Sequence, residues 1–157
     1  PYYFYGLFFL IFSFLTIYIL RIYTNDYIEV LFVLIICVST DIGGYVFGKL
    51  FKGPKLTKYS PNKTYAGMFG AYFLSITSVT IIPLFKLELI QFSELLFVIA
   101  ISSVSQIGDI IISYFKRLSK IKDTGKIIPG HGGLLDRVDG MIFAFPFSYI
   151  IILTDIL

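Results

Sequence analysis

Charge is scarce in this chain. Only 15% of its 157 residues are Asp, Glu, Lys or Arg, while 57% are hydrophobic, and the mean hydropathy is +0.85. Ordinary soluble domains carry about 25% charged and roughly 45–50% apolar residues. A water-soluble domain would struggle to hide so much Phe, Ile and Leu, so the composition reads as an integral membrane protein. Cysteine is reduced to Cys37. That excludes an internal disulfide, and its place in an apolar run reads as inert packing. Histidine is single as well, His131, with no second His or Cys at zinc spacing. The pattern of a secretory leader is missing, so the first apolar run is expected to be a membrane span. The short alternating segments of a barrel are missing too.

What the chain does have is long apolar runs. A bilayer crossing takes about 20 residues, and five runs approach that length: 2–20, 27–47, 66–85, 92–115 and 140–157. Only helices and closed barrels satisfy backbone groups in lipid. The fold class expected is therefore all-α, a single polytopic membrane helix bundle over 1–157 with about five spans and loops at 48–65 and 116–139. Pro83 is expected to end or bend the third span.

Basic residues then choose the sides. Lys49, Lys52, Lys55, Lys58 and Lys63 follow the second span; Lys116, Arg117, Lys120, Lys122, Lys126 and Arg137 follow the fourth. Of the 13 basic residues only Arg21 and Lys86 lie elsewhere, in loops on the opposite face. The positive-inside rule puts both basic loops, and the N-terminus, on the cytoplasmic side.

Two acids sit at depth in this apolar sequence, Asp41 in the second run and Asp109 in the fourth. Each lies roughly two helical turns, on the order of 10–12 Å, from the basic end of its run. A bare carboxylate there costs several kcal/mol, so it should face the bundle interior and hold a partner. The partner can be a structural Lys or hydroxyl; the reading preferred is a polar cavity opening to the cytoplasm. Small and polar neighbours favour a cavity: Ser39, Thr40, Gly43 and Gly44 in one run, Ser103, Ser105, Gln106 and Gly108 in the other. Gly44 and Gly48 form a G-x-x-x-G pair that suits close helix packing.

The loops carry the remaining polar chemistry. In the first, Ser60 before Pro61 reads as a helix start, which puts Lys63 and Thr64 in a first turn whose N–H groups favour an anion. A solvated basic face against acidic lipid heads is the plainer alternative. In the second, Gly125, Gly130, Gly132 and Gly133 permit turns that aim N–H groups at an anion, with His131 between them. Asp136 and Asp139 are three apart and share a helix face. Oxygen donors of this kind suit magnesium, which takes one or two carboxylates plus substrate phosphate. Asp109 and Asp136 can meet if the loop folds back.

One stretch carries a resemblance. Ser113, Phe115, Lys116, Arg117, Lys122, Asp123, Gly125, Ile128, Pro129, His131, Gly132, Gly133, Leu134, Asp136, Arg137, Val138 and Asp139 fill, without a gap, the signature of a known family. TDIGGYVFGKLF from Thr40 and SPNKT from Ser60 fit it as well. The chain resembles the phosphatidate cytidylyltransferases, also called CDP-diacylglycerol synthases. The similarity covers about Ser39 to Gly140, with one departure: where the family places Glu between an aromatic residue and Gly, this chain has Ala66 between Tyr65 and Gly67.

The resemblance implies cytidylyl transfer from CTP to phosphatidic acid, with CDP-diacylglycerol and pyrophosphate as products and Mg²⁺ as cofactor. A second cation such as K⁺ is an option. It implies Asp109 and Asp136 as metal ligands. Lys116, Arg117, Lys122 and Arg137 are then expected to hold phosphates, helped by Lys63 and Thr64, and Asp123 joins the catalytic group through the signature. Asp41 and Asp139 are expected to serve as further ligands or to orient Arg137. Ser60, His131, Gly132 and Gly133 are assigned to substrate, His131 either touching a phosphate or shaping its loop. The partners expected are CTP, phosphatidic acid and the bilayer, with no nucleic acid and with a homodimer as one option. The location expected is a bacterial inner membrane, the site facing the cytoplasm. Two rivals stand beside this reading, a CTP-using polyprenol or lipid kinase and a transporter of ions or phosphate.

Overall fold

The computed structural model describes residues 2–24, 27–57, 60, 62–81, 91–121, 124 and 135–154. Its regular elements among these are helices, with one isolated antiparallel bridge between Lys55 and Thr64. The helices are α1 (Tyr2–Thr24), α2 (Ile28–Phe51), α3 (Tyr65–Ile81), α4 (Phe92–Leu118), the single turn α5 (Leu135–Val138) and α6 (Met141–Thr154). The all-α bundle expected from the apolar runs is the fold observed. Residues 6–24 of α1, together with α2 and α4, are long and apolar enough to cross a membrane. The 17 residues of α3 and the 14 of α6 are apolar but shorter than a full crossing. Pro83 and the last three residues of the fifth expected span lie outside the described residues.

Packing relies on small residues, as it must where lipid tails compete with apolar side chains. The most intimate pair is α2 with α3. A Cβ placed on Gly43 of α2 would stand 2.5 Å from the Gly70 carbonyl oxygen, and one on Gly67 of α3 would stand 2.6 Å from that of Gly44. The G-x-x-x-G pair is thus in use, Gly44 and Gly48 both facing Gly67, but Gly43 makes the tighter approach. Across the bundle Gly108 of α4 receives the Phe143 ring of α6, and that ring meets Phe9 of α1 at 5.1 Å between centroids.

A dry core joins α2, α4 and α6 through Val33, Ile36, Phe97, Val98, Ile101 and Phe145. The outer faces show Phe8, Ile11, Leu31, Phe73 and Phe92 outward, as a lipid-facing surface should. Hydroxyl pairs cross-link the interior: Thr40 donates to Ser102 at 2.9 Å, Ser39 to Ser78 at 2.9 Å, and Tyr72 bonds Ser103 at 2.9 Å.

The start of α3 differs from the expectation at Ser60. The helix begins at Tyr65, and its cap is Thr64, whose Oγ1 accepts from Gly67 N at 3.1 Å while its carbonyl accepts from Met68 N at 3.0 Å. Lys63 and Thr64 therefore precede the helix. The reason is a pairing between distant loop residues. Leu56 N donates to the Lys63 carbonyl at 2.7 Å and Tyr65 N to the Pro54 carbonyl at 3.2 Å. The chain turns back after α2 through Lys52 and Gly53, both at positive φ.

A methyl at the α2–α3 contact should therefore be costly. Gly43→Ala is expected to destabilise the protein by about 1–3 kcal/mol, the usual range for overpacking. Gly6→Ala, where nothing lies within 4 Å, should be neutral or nearly so. Unfolding followed by circular dichroism in detergent measures both.

Candidate active site

At the end of the bundle where α2 meets the loop before α3, the helices diverge around a polar cavity of about 330 Å³. Asp41 and Tyr45 enter from α2, and Ser60, Asn62, Lys63 and Thr64 from the loop and cap before α3. Gln106 and Asp109 enter from α4, Asp136 from α5, and Asp139 from the turn that follows it. The α2–α3 glycine contact holds the floor, since Gly44 and Gly67 both line it. Asp41 is exposed rather than enclosed, because this cavity is open and not a sealed interior.

Two lysines partner the acids. The Lys63 ammonium forms an ion pair with Asp109 Oδ2 and reaches the Gln106 carbonyl at 3.5 Å. The Lys116 ammonium donates to Asp136 Oδ1 at 3.0 Å and lies 3.7 Å from Asp139 Oδ2. Asp136 is fixed further by Thr124 N, which donates to Oδ2 at 2.9 Å, and Asp139 Oδ1 accepts from Gly140 N at 3.0 Å. Gly140 seats against Ser105, where a Cβ would fall 2.4 Å from the hydroxyl oxygen. That close seat brings the D-R-V-D-G turn onto α4.

Crowding of negative charge shows in Asp139. Its carboxyl is pushed up to about 7, first by burial and then by the neighbouring Asp109, with Asp41 and a hydrogen bond with Asp109 adding to the rise and Lys116 pulling against it. Three carboxylates from three elements thus converge: Asp109 beside Asp139, and Asp139 sharing Lys116 with Asp136. Hard oxygen donors in this number fit a small divalent cation completing its shell with water and phosphate. Among the described residues no group of three His, Cys, Asp or Glu side chains is placed to hold a metal ion by itself.

The cavity gathers Asp41, Ser60, Lys63, Thr64, Asp109, Asp136 and Asp139 of the residues singled out in the sequence, and Lys116 joins through its two acids. Arg117 is not brought there; at the exposed end of α4 its Nη1 donates to the Ile121 carbonyl at 3.4 Å. Lys122, Asp123, His131, Gly132 and Gly133 lie outside the described residues, and of Arg137 the structure describes the α5 backbone alone. Tyr45 and Asn62 were not singled out. Tyr45 stands one helical turn from Asp41, a spacing that could have revealed it.

Comparison with known proteins identifies the family. The family model described as Cytidylyltransferase family matches residues 2–154. A phosphatidate cytidylyltransferase of Staphylococcus epidermidis is 40% identical over 126 residues, covering 79% of this chain and 48% of that protein. One of Brucella melitensis is 36% identical over 150 residues, covering 92% and 54%. One of Staphylococcus aureus is 38% identical over 130 residues, covering 79% and 48%. The chain spans about half the length of the curated relatives it matches.

Removing Lys116 should strand two carboxylates. Lys116→Met is expected to destabilise the protein by about 3 kcal/mol, the scale for breaking a buried pair. Adding Asp139→Asn should restore part of that loss, a non-additivity that a double-mutant cycle in detergent measures. The acid also gives a pH signature in chelator-containing buffer. Its folded pKa of about 7 lies above its ordinary value of 3.8, so the folded state holds the proton more tightly. Its effect therefore favours folding most below that ordinary value and declines as pH rises to about 7. The unfolding temperature of Asp139→Asn should vary less across that window.

Proposed function

The chain belongs to the cytidylyltransferase family, and on that footing we propose that it carries the active site of a membrane-bound CTP:phosphatidate cytidylyltransferase. The reaction joins CTP to phosphatidic acid and gives CDP-diacylglycerol and pyrophosphate. One observation carries the reading: four carboxylates and a lysine converge on a single cavity in a bundle whose other buried side chains, among the described residues, are uncharged. That is the equipment needed when two anions must react with each other.

An oxygen of the lipid phosphate is already an anionic nucleophile, so no covalent intermediate with the protein is required. It bonds to the α-phosphorus of CTP as the bond from that phosphorus to the bridging oxygen breaks, and pyrophosphate departs with the electron pair. Accumulated negative charge is the main obstacle. Among the described residues, Lys63 on the cavity wall and Lys116 behind Asp136 and Asp139 are the ammonium groups placed to meet phosphates in the cavity. The Thr64 hydroxyl accepts from Gly67 N, which leaves its proton for a phosphate oxygen. Asp109 and Asp136, with Asp139 beside them, would hold Mg²⁺, which supplies positive charge against the triphosphate. Both basic loops face the cytoplasm by the positive-inside rule, where dissolved CTP meets a lipid held in the membrane.

The test is an assay with labelled CTP and phosphatidic acid, with and without Mg²⁺, scoring a lipid-soluble cytidine product. Asp109→Asn and Asp136→Asn are each expected to lower turnover by at least about 100-fold while the protein still inserts into membranes. Lys52→Ala, an exposed charge outside the cavity, should leave turnover within about twofold. Release of CDP instead of pyrophosphate would make the protein a lipid kinase. Flux across proteoliposomes without CTP consumption would make it a transporter.

A further inference from the structure

Each acid proposed for the cation gives one of its carboxylate oxygens to a lysine. Asp109 Oδ2 is the atom paired with Lys63; Asp136 Oδ1 and Asp139 Oδ2 are the atoms facing Lys116, at 3.0 and 3.7 Å. A divalent ion approaches carboxylate oxygens to about 2.0–2.6 Å, which leaves no room for an ammonium on the same lone pairs. Ion and lysine must compete. A displaced lysine also needs a new partner, because a partly buried ammonium left alone is unfavourable. For Lys63 the neutral Gln106 carbonyl at 3.5 Å is a weak substitute. A polyanion in the cavity is a strong one.

Resting on the cation site proposed above, we propose that Lys63 and Lys116 are internal counter-ions that exchange partners. They hold Asp109 and the Asp136–Asp139 pair until a divalent cation takes those oxygens, then turn to the phosphates of the nucleotide. The exchange couples the two ligands. A cation binding alone breaks a lysine pair and leaves the ammonium without an anion. With the triphosphate present, the freed ammonium regains one. Each ligand therefore raises the affinity of the other, by the same factor in both directions. Direct contact between cation and phosphate contributes its own coupling, and lysine substitution isolates the part that the exchange adds.

The experiment titrates Mn²⁺ into the purified chain in detergent, reading free ion by electron paramagnetic resonance. It is run without nucleotide and with saturating α,β-methylene-CTP, which cannot transfer. Lys63→Met is expected to bind Mn²⁺ at least about five-fold more tightly without nucleotide, and the enhancement by the analogue should shrink by a similar factor. Lys116→Met should move both quantities the same way. Lys63→Gln, which keeps a polar head, should reproduce the Lys63→Met result and guards against misfolding. Lys55→Met removes an exposed charge from the same loop and should move neither, which separates partner exchange from general repulsion. Unchanged or weaker Mn²⁺ binding in the Lys63 and Lys116 variants, with Asp109→Asn still abolishing it, overturns the exchange and leaves the cation site standing. Mn²⁺ binding indifferent to Asp109→Asn overturns both.

Discussion

A carboxylate inside an apolar bundle must have positive charge beside it, and the arrangement of this protein follows from that requirement. Asp109 is half-buried on α4, directly after Gly108, the last buried residue of that helix. It is paired there with the Lys63 ammonium, which comes from a different part of the chain. Asp136 and Asp139 depend in the same way on Lys116, a residue of α4 itself. Both pairs involve acids that line the cavity. They tie the loop before α3, the last turns of α4 and the turn after α5 into one unit. No single segment could form this site, since each acid takes its cation from elsewhere.

The glycine contacts make the first pair geometrically possible. Lys63 can reach Asp109 because α2 and α3 approach until Gly43 meets the Gly70 carbonyl and Gly67 meets that of Gly44. A larger residue at either position would push α3 outward and carry Thr64, its cap, with it. The second pair has its own seat, Gly140 against Ser105, which presses the D-R-V-D turn onto α4. Small residues in this fold are therefore more than packing devices. They set the distance between opposite charges.

Much of the fold was legible because hydropathy alone decides where helices can run in lipid. The helical ends were less so. Lys49 and Lys116 were read as marking the ends of apolar runs, yet α2 continues to Phe51 and α4 to Leu118. Cations in a last helical turn are favoured by the helix dipole and need not end it. Lys49 sits over the Tyr45 ring at 5.6 Å, and Lys116 turns inward to its acids. Ser60 looked like a cap by local rules. Thr64 serves instead because hydrogen bonds from Leu56 to Lys63 and from Tyr65 to Pro54 fix the loop, and no local pattern encodes those. The acids were legible by their cost in an apolar run. Their partners were not, since which lysine meets which carboxylate is a tertiary fact.

The distribution of polarity along the bundle bears on what the cavity can do. Beneath it, Ile36, Cys37, Phe97, Val98 and Ile101 form a continuous buried core with Ala144 and Phe145. The polar groups near that level, Thr40 and Ser102, are bonded to each other. Such bonded hydroxyls satisfy one another and link helices; they are not open to a passing ion. Among the described residues, Asp139 is the one charged side chain that is buried, and the other buried polar side chains are hydroxyls. A transported ion would need water or carbonyl oxygens along its whole path. A transferase needs only one open mouth, wide enough for a dissolved nucleotide and bordered by the lipid that holds the other substrate. A charged mouth above an apolar body is the arrangement that the proposed chemistry, between a soluble anion and a membrane-held anion, would use.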